Sequence, residues 1–231
     1  MSFDISKQLL FEDNHLIIVN KLPGQLVQPD NSGDDSLEEQ VKLYIKFKYN
    51  KPGDAFLGVA HRIDRPVSGT VVFAKTSKAL VRLNEMLKKH EFKKTYWAIV
   101  KNKPPKEEDL LSQYILRNPK QNKSQVYNMP VKDAQLAELK YKLISSSERY
   151  FLLEIDLMTG RHHQIRAQLA AMDCAIKGDV KYGFNRTNPD GSICLHARKV
   201  EFVHPVSKQA MKILAPPPEN NLWGLFNITS E

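Results

Sequence analysis

The chain opens with two apolar runs, LLFED and HLIIVNK, flanking the turn residues Asp13 and Asn14, and this pattern predicts a β-hairpin. A loop rich in Pro, Asp, Asn, Ser and Gly follows at 23–34. SLEE then supplies a capping box, with Ser36 as N-cap and Glu39 three residues on. Leu37, Val41, Tyr44 and Ile45 recur at helical spacing, so 36–48 is predicted helical, and NKPGD at 50–54 ends it. TVVFAK reads as a short strand. TSKALVRLNEMLKKHE reads as a helix behind a Thr or Ser cap, with Leu80, Leu83, Met86 and Leu87 on one face. KTYWAIV is the next strand. Residues 101–124 are polar, contain Pro104 and Pro105, and read as an excursion over the surface. Strands are predicted near 135–145 and 150–158, the second with Phe151, Leu153, Ile155 and Leu157 on an apolar face. RHHQIRAQLAAM reads as a helix with Ile165 and Leu169 on its inner stripe, and AIKGDVKYG as a short strand and turn. ICLHARKVEFVHP and QAMKILAP form a closing strand pair, and NNLWGLF a short terminal segment.

Strands outnumber helices, and regular crossover helices are missing. The expected class is therefore α+β: a mixed, mainly antiparallel sheet with helices packed on it, rather than a doubly wound sheet. No repeat or long flexible linker interrupts the chain, so a single domain over residues 1–231 is expected.

Composition narrows the setting. Lys and Arg number 34 against 26 Asp and Glu, a net charge of +8, and such a surface concentrates polyanions such as nucleic acid. The only two cysteines, Cys174 and Cys194, do not form a C-x-x-C pair, which argues against a disulfide framework and a zinc site and suits a reducing compartment. The longest apolar runs, such as LIIV, are far too short to span a bilayer, and acids early in MSFDISKQLLFED argue against a signal peptide. A cytoplasmic monomer that binds neither metal nor membrane is the expectation.

Three stretches carry candidate chemistry. In HRIDRPVSG, His61, Arg62 and Arg65 surround Asp64 in a turn. Nearby positive charge favours the ionised carboxylate, which makes a poor general acid but a good nucleophile or stabiliser of a cation. A turn aspartate that caps its own backbone fits the same residues. In KKTYWAIV, strand alternation sets Tyr96 with Ala98 and Val100. A phenol there serves as a cross-strand packing partner, or stacks on a base and exchanges a proton. In GRHHQIRAQLA a helix starts directly after Gly160, placing Arg161, His162 and His163 at an N-terminus that attracts anions. Adjacent histidines on a helix diverge too far to share a metal ion. Arg166, if it faces the core with Ile165, needs a carboxylate partner, and Asp64 is the candidate. In GDVKYG, Asp179 reads as structural, with Lys181 near phosphate. Lys88, Lys89, Lys93 and Lys94 read as a solvated helix end, and His196 and His204 as packing or surface residues.

Together these stretches resemble the RluA-type pseudouridine synthases, which isomerise uridine in ribosomal or transfer RNA. LLFEDNHLIIVNKLPG resembles the N-terminal strand pair of that catalytic domain, and HRIDRPVSGTVVFAK the signature H-R-L-D-R-x-T-S-G. KKTYWAIV resembles the K-x-Y strand; GRHHQIRAQLA with AIKGDVKYG resembles G-R-x-H-Q-I-R-x-H and P-I-x-G-D-x-x-Y-G; ICLHARKVEFVHP resembles the closing L-H-A and F-x-H-P block. The match covers nearly the whole chain in order. Leu22, Ile63, Val67, Gln168 and Ala175 depart from the family pattern, and Val67 and Gln168 are expected to bear on the RNA target rather than on the chemistry. The auxiliary N-terminal RNA-binding domain of many relatives is not expected, as in members acting on transfer RNA or on both RNA types.

The resemblance implies a bent mixed sheet with a central cleft, no cofactor and no metal. It implies Asp64 as the catalytic aspartate, Tyr96 as the active-site tyrosine and Arg166 as the basic partner of the aspartate. It also implies RNA contacts from His61, Arg62, Arg65, Arg161, His163 and Lys181. Either Arg62 or Arg65 contacts phosphate or fills the gap left by a flipped uridine. A silent RNA-binding module would have no need of the Asp64, Tyr96 and Arg166 set. A hydrolase of the glycosidase kind would need a second carboxylate that these motifs lack.

Overall fold

The computed structural model describes residues 4–219 and 222–226; residues 220–221 of the terminal NNLWGLF segment lie outside them. The chain runs α1 (Ile5–Gln8), β1 (Leu9–Glu12), β2 (Leu16–Lys21), α2 (Leu37–Lys48), β3 (Gly58–Val59), β4 (Ser68–Ala74), α3 (Ser77–Lys88) and β5 (Lys93–Val100). It continues through β6 (Glu108–Asn118), β7 (Lys123–Tyr127), β8 (Gln135–Ser146), β9 (Phe151–Leu157), α4 (Gln164–Ala171), β10 (Leu195–Val203) and β11 (Ala210–Leu214). Short 3₁₀ turns occupy Val180–Tyr182 and Trp223–Leu225. The class is α+β, with mostly antiparallel strands. The chain divides into two compact units: residues 1–92 with 197–216, and 93–196 with 217–231.

In the first unit the predicted β1–β2 hairpin forms, and β2 pairs antiparallel with β4 from Leu16–Ala74 to Lys21–Gly69. β3 pairs with the end of β4, and β10 with β11, both antiparallel. The Ser36 capping box on α2 is complete: the Ser36 hydroxyl accepts from the Glu39 amide, and Glu39 accepts from the Ser36 amide. Thr76 caps α3. The core joins Leu16 and Ile18 of β2, Val72 and Ala74 of β4, Ala79 and Leu83 of α3, and Val200 and Phe202 of β10. Leu80, Met86 and Leu87 pack on that core, as their spacing predicts.

Glu12 locks the rim of this unit. Its buried carboxylate accepts from Lys48 (2.7 Å), Lys75 (2.8 Å), Tyr49 (2.8 Å) and Tyr44 (3.2 Å). Burial works against the charge, but the Lys48, Lys75 and Tyr49 donors outweigh it and hold the carboxyl at about 2. Because the folded value lies below the ordinary 4.5, this stabilisation is complete above pH ~5 and lost as pH falls towards 2. Glu12→Gln is expected to lower unfolding stability at pH 7 by on the order of 2–3 kcal/mol. Urea denaturation of the two proteins should converge near pH 2; a gap that persists there would refute the assignment.

The second unit is a sheet of order β5-β9-β8-β6-β7, antiparallel throughout, with α4 against β6 and β7. Here the structure corrects the sequence. Part of 101–124, read as a surface excursion, forms β6 and the start of β7, and β6 pairs with β8 from Glu108–Lys142 to Ile115–Gln135. Apolar alternation along β6 is thin, with Ile115 its one fully buried residue, because the ladder is held by backbone bonds that need no apolar side chain. AIKGDVKYG contributes a single bridge, Ile176 to Val100, in place of a strand.

Candidate active site

The HRIDR stretch forms a turn of the first unit that is tied down on all sides. The Val67 amide donates to the Asp64 carbonyl (3.0 Å), and the Gly24 amide to the Arg65 carbonyl (2.8 Å). His61 Nε2 accepts from the Val72 amide of β4 (3.2 Å), and the ring packs on Phe92, so the imidazole anchors the turn. Behind the turn, Gly69 sits at φ 118, and a Cβ there would come within 2.4 Å of the Ala197 carbonyl oxygen; only glycine lets β4 approach so closely.

Lys21 was not singled out from the sequence, yet it is 0% exposed, with its ammonium donating to the carbonyls of Leu22 and Arg65, each at 3.0 Å. Burial pushes its pKa from 10.5 to about 7; Asp64 opposes that shift and Arg65 adds to it. Asp64, half-buried at the head of the turn, thus has the Lys21 amine behind it, and its charge favours the protonated form of that amine. A folded value below the unfolded one means that the cost of burying Lys21 is full below pH ~7 and gone above pH ~10.5. The stability of the wild type relative to Lys21→Met should therefore rise between pH 7 and 10, by on the order of a few kcal/mol. A pH-independent difference in urea denaturation would sink this reading.

The two arginines separate. Arg65 donates Nε to the Gly24 carbonyl (3.0 Å) and pairs with Asp34 (2.7 Å). Arg62 is exposed and, among the described residues, makes no ion pair.

In the second unit, Tyr96 of β5 lies opposite Ile155 of β9 and is only 7% exposed. Its neighbours are fixed by cross-strand bonds: Thr95 Oγ1 to Asp156 (3.0 Å) and Trp97 Nε1 to Glu154 (3.2 Å). Lys94, read as part of a solvated helix end, is half-buried, and burial pushes its pKa down.

α4 is buried from Gln164 to Leu169, Arg166 included. The carboxylate that pairs with Arg166 inside this unit is Asp179, not a residue the sequence assigned to it. Nε donates to Oδ2 at 2.7 Å and Nη2 to Oδ1 at 2.8 Å, a bidentate pair with both side chains almost fully buried. The guanidinium also lies over the Tyr182 ring, 5.1 Å from its centroid. An arginine in a helix with no open face demands an acid; GDVKYG supplied it, but two turns of structure intervene.

The helix also starts later than the sequence suggests. α4 begins at Gln164, and His163 is its N-cap with φ 52. Arg161 and His162 lie in the preceding turn, where Gln164 Oε1 accepts from the Arg161 amide (3.0 Å) and from Thr159 Oγ1 (2.8 Å). The His162 and His163 rings stack at 3.8 Å. His162 contacts Ser124 Oγ (2.9 Å) and Asn122 (3.1 Å), and His163 contacts the Tyr182 hydroxyl (3.0 Å). Arg161 Nε donates to the Leu136 carbonyl (2.9 Å), and Lys181 donates to the Asn122 carbonyl (3.1 Å). These expected RNA contacts thus also have structural partners: Arg161 ties the turn before α4 to β8, and Lys181 ties the 3₁₀ turn to the β6–β7 connection, while His162 joins that connection to the turn before α4. Val67 and Gln168, expected to bear on the RNA target, are buried: Gln168 donates to the Ala137 carbonyl and to Gln113, each at 3.2 Å, so it works in packing. His196 and His204 are buried as well. Among the described residues no group of three His, Cys, Asp or Glu side chains could hold a metal ion, and no helix is long and apolar enough to cross a membrane.

The fold is that of a pseudouridylate synthase domain. Human RNA Pseudouridylate Synthase Domain Containing 4 superposes with a TM-score of 0.78 at 22% identity, over 93% of this chain and 90% of that one. The sequence model of the RNA pseudouridylate synthase family matches residues 15–171. Uncharacterized RNA pseudouridine synthase YhcT of Bacillus subtilis is 32% identical over 91% of this chain and 68% of its own length. Ribosomal large subunit pseudouridine synthase C of Buchnera aphidicola is 32% identical over 93% and 68%, and ribosomal large subunit pseudouridine synthase D of Xylella fastidiosa 31% identical over 94% and 68%. The chain belongs to the RluA-type branch of the RNA pseudouridine synthases and is an isomerase acting on uridine in RNA.

Proposed function

We propose that the protein isomerises a uridine of ribosomal or transfer RNA on a flipped-out nucleotide, with Asp64 meeting the sugar and with Tyr96 and Arg166 completing the site. The observation that carries the assignment of Asp64 is its setting: a carboxylate at the head of a braced turn, backed by the buried Lys21 ammonium. When the N1–C1′ bond breaks, positive charge develops at the sugar, and uracil leaves as a delocalised anion. An ionised carboxylate stabilises that centre or traps it covalently. The base then turns, C5 joins C1′, and the C5 proton is lost. No second acid is needed to protonate the leaving group, in contrast to glycoside hydrolysis. Tyr96 stacks on the base and assists a proton transfer at C2′ or C5. The names of two relatives support a target in the large ribosomal subunit.

Flipping is required because the base must rotate as a whole. Arg62, exposed and without an ion pair among the described residues, suits the gap left by the uridine or a phosphate, whereas Arg65 is engaged with Gly24 and Asp34. Arg62→Ala should therefore weaken RNA binding about tenfold or more with an unchanged thermal midpoint, and Arg65→Ala should chiefly loosen the turn. Equal effects of the two on binding would reverse the assignment. The function itself is tested by incubating the protein with C5-tritiated uridine RNA, without added metal, and measuring tritium release. Mapping the pseudouridines lost on deletion identifies the target; no release from any cellular RNA pool would reject the reading.

A further inference from the structure

We propose that Lys177 is a positioning residue for Arg166: its ammonium clamps the loop 184–192 onto the turn that carries Asp179. The inference rests on the reading that Arg166 takes part in the reaction.

Lys177 is 8% exposed, and an ammonium is costly to bury. A methionine would fill the same space without that cost, so the polar head needs a use. Its Nζ donates to Asn188 Oδ1 and lies over the Phe184 ring, 5.1 Å from the centroid. Asn188 in turn donates to Ser192 Oγ at 3.2 Å, and Ser192 donates to Asp190 at 2.6 Å. One side chain therefore gathers both arms of the loop.

The other end of the clamp is the Asp179 turn. The Lys177 amide donates to Ile99 of β5 (2.9 Å), its carbonyl accepts from Cys194 (2.8 Å), and the Asp179 amide donates to Ile176 (2.9 Å). The Phe184 amide closes back onto the Asp179 carbonyl at 3.1 Å. Between Lys177 and Asp179, Gly178 at φ 90 lies so close to the loop that a Cβ would come within 2.7 Å of the Ser192 carbonyl and 2.8 Å of Asn188. Loop and turn are thus one packed body, and Asp179 projects from it to take two nitrogens of Arg166. The mechanism uses neither Lys177 nor Asn188, yet the guanidinium's orientation is inherited from them. A bidentate pair has narrow angular tolerance, and small misplacements at a reacting centre cost rate.

The test compares Asn188→Ala, which removes the acceptor, with Asn188→Asp, which keeps one. The first readout is hydrogen exchange of the Arg166 Nε–H by NMR in the RNA-free protein. The second is single-turnover tritium release at saturating enzyme, where RNA binding does not limit. Asn188→Ala should speed exchange and slow release, each by about tenfold. Asn188→Asp should stay within about threefold of wild type on both. Lys177→Met should match Asn188→Ala, and the double variant should be no worse; if Lys177→Met does not fold, the two Asn188 variants decide. Unchanged exchange in Asn188→Ala, or equal damage in Asn188→Asp, overturns the clamp. Faster exchange with wild-type release overturns the link to catalysis and places the fault in the role assigned to Arg166.

Discussion

Asp64→Asn is expected to abolish tritium release, by about four orders of magnitude or more, while leaving the fold intact. The size follows from the chemistry. A neutral amide of the same shape neither traps nor stabilises a cationic C1′ centre. The fold should survive because the turn is braced through backbone groups: the Asp64 and Arg65 carbonyls, the Gly24 and Val67 amides and the Lys21 ammonium. A companion effect is expected at Lys21. Its largest perturbation is burial, and Asp64 is what pulls its pKa back up, so the variant should lower it further. Thermal midpoint and RNA affinity, measured beside release, separate lost chemistry from lost structure. Residual release within tenfold of wild type would rule out Asp64 as the group that meets the sugar.

Asp179→Ala should show the largest loss of stability, about 3–5 kcal/mol. Both partners of the Arg166–Asp179 pair are nearly water-free, with side chains 6% and 1% exposed. Removing the acid takes from a buried guanidinium the acceptors of two of its N–H groups, at Nε and Nη2, a penalty above the net worth of the pair. Asp179→Asn keeps one acceptor and should cost about half as much. Urea unfolding of the three proteins checks the order. A cost for Asp179→Ala below about 1 kcal/mol would mean that the Arg166 guanidinium does not depend on Asp179 for its compensation.

Local features were legible in the sequence. The β1–β2 hairpin, the Ser36–Glu39 box and the Thr76 cap each depend on residues a few positions apart, so chain order and spatial order coincide. Asp64, Tyr96 and Arg166 stood out because of their motifs. What escaped depends on partners distant along the chain. β6 was hidden because its stability comes from the β8 ladder rather than from its own alternation. Asp179 was read as a turn residue because nothing local shows that Arg166 is mounted on it. Lys21 ends an apolar strand, where a lysine normally reaches solvent; only the closing of the Arg65 turn over it reveals a buried cation. Arg62 and Arg65 are equivalent in the sequence, and Asp34 and Gly24 distinguish them.

Gly69 has a different consequence, for genetics. Every side chain at that position must displace the Ala197 backbone and adopt a disfavoured φ, although glycine there has no group that could join the reaction. A growth-based scan of all substitutions would therefore rank Gly69 beside Asp64, and the two would look like one phenotype. Cellular abundance tells them apart. Alleles of Gly69 should leave little protein, as chaperones and proteases clear the unfolded fraction, while alleles of Asp64 should leave a normal amount of inert enzyme.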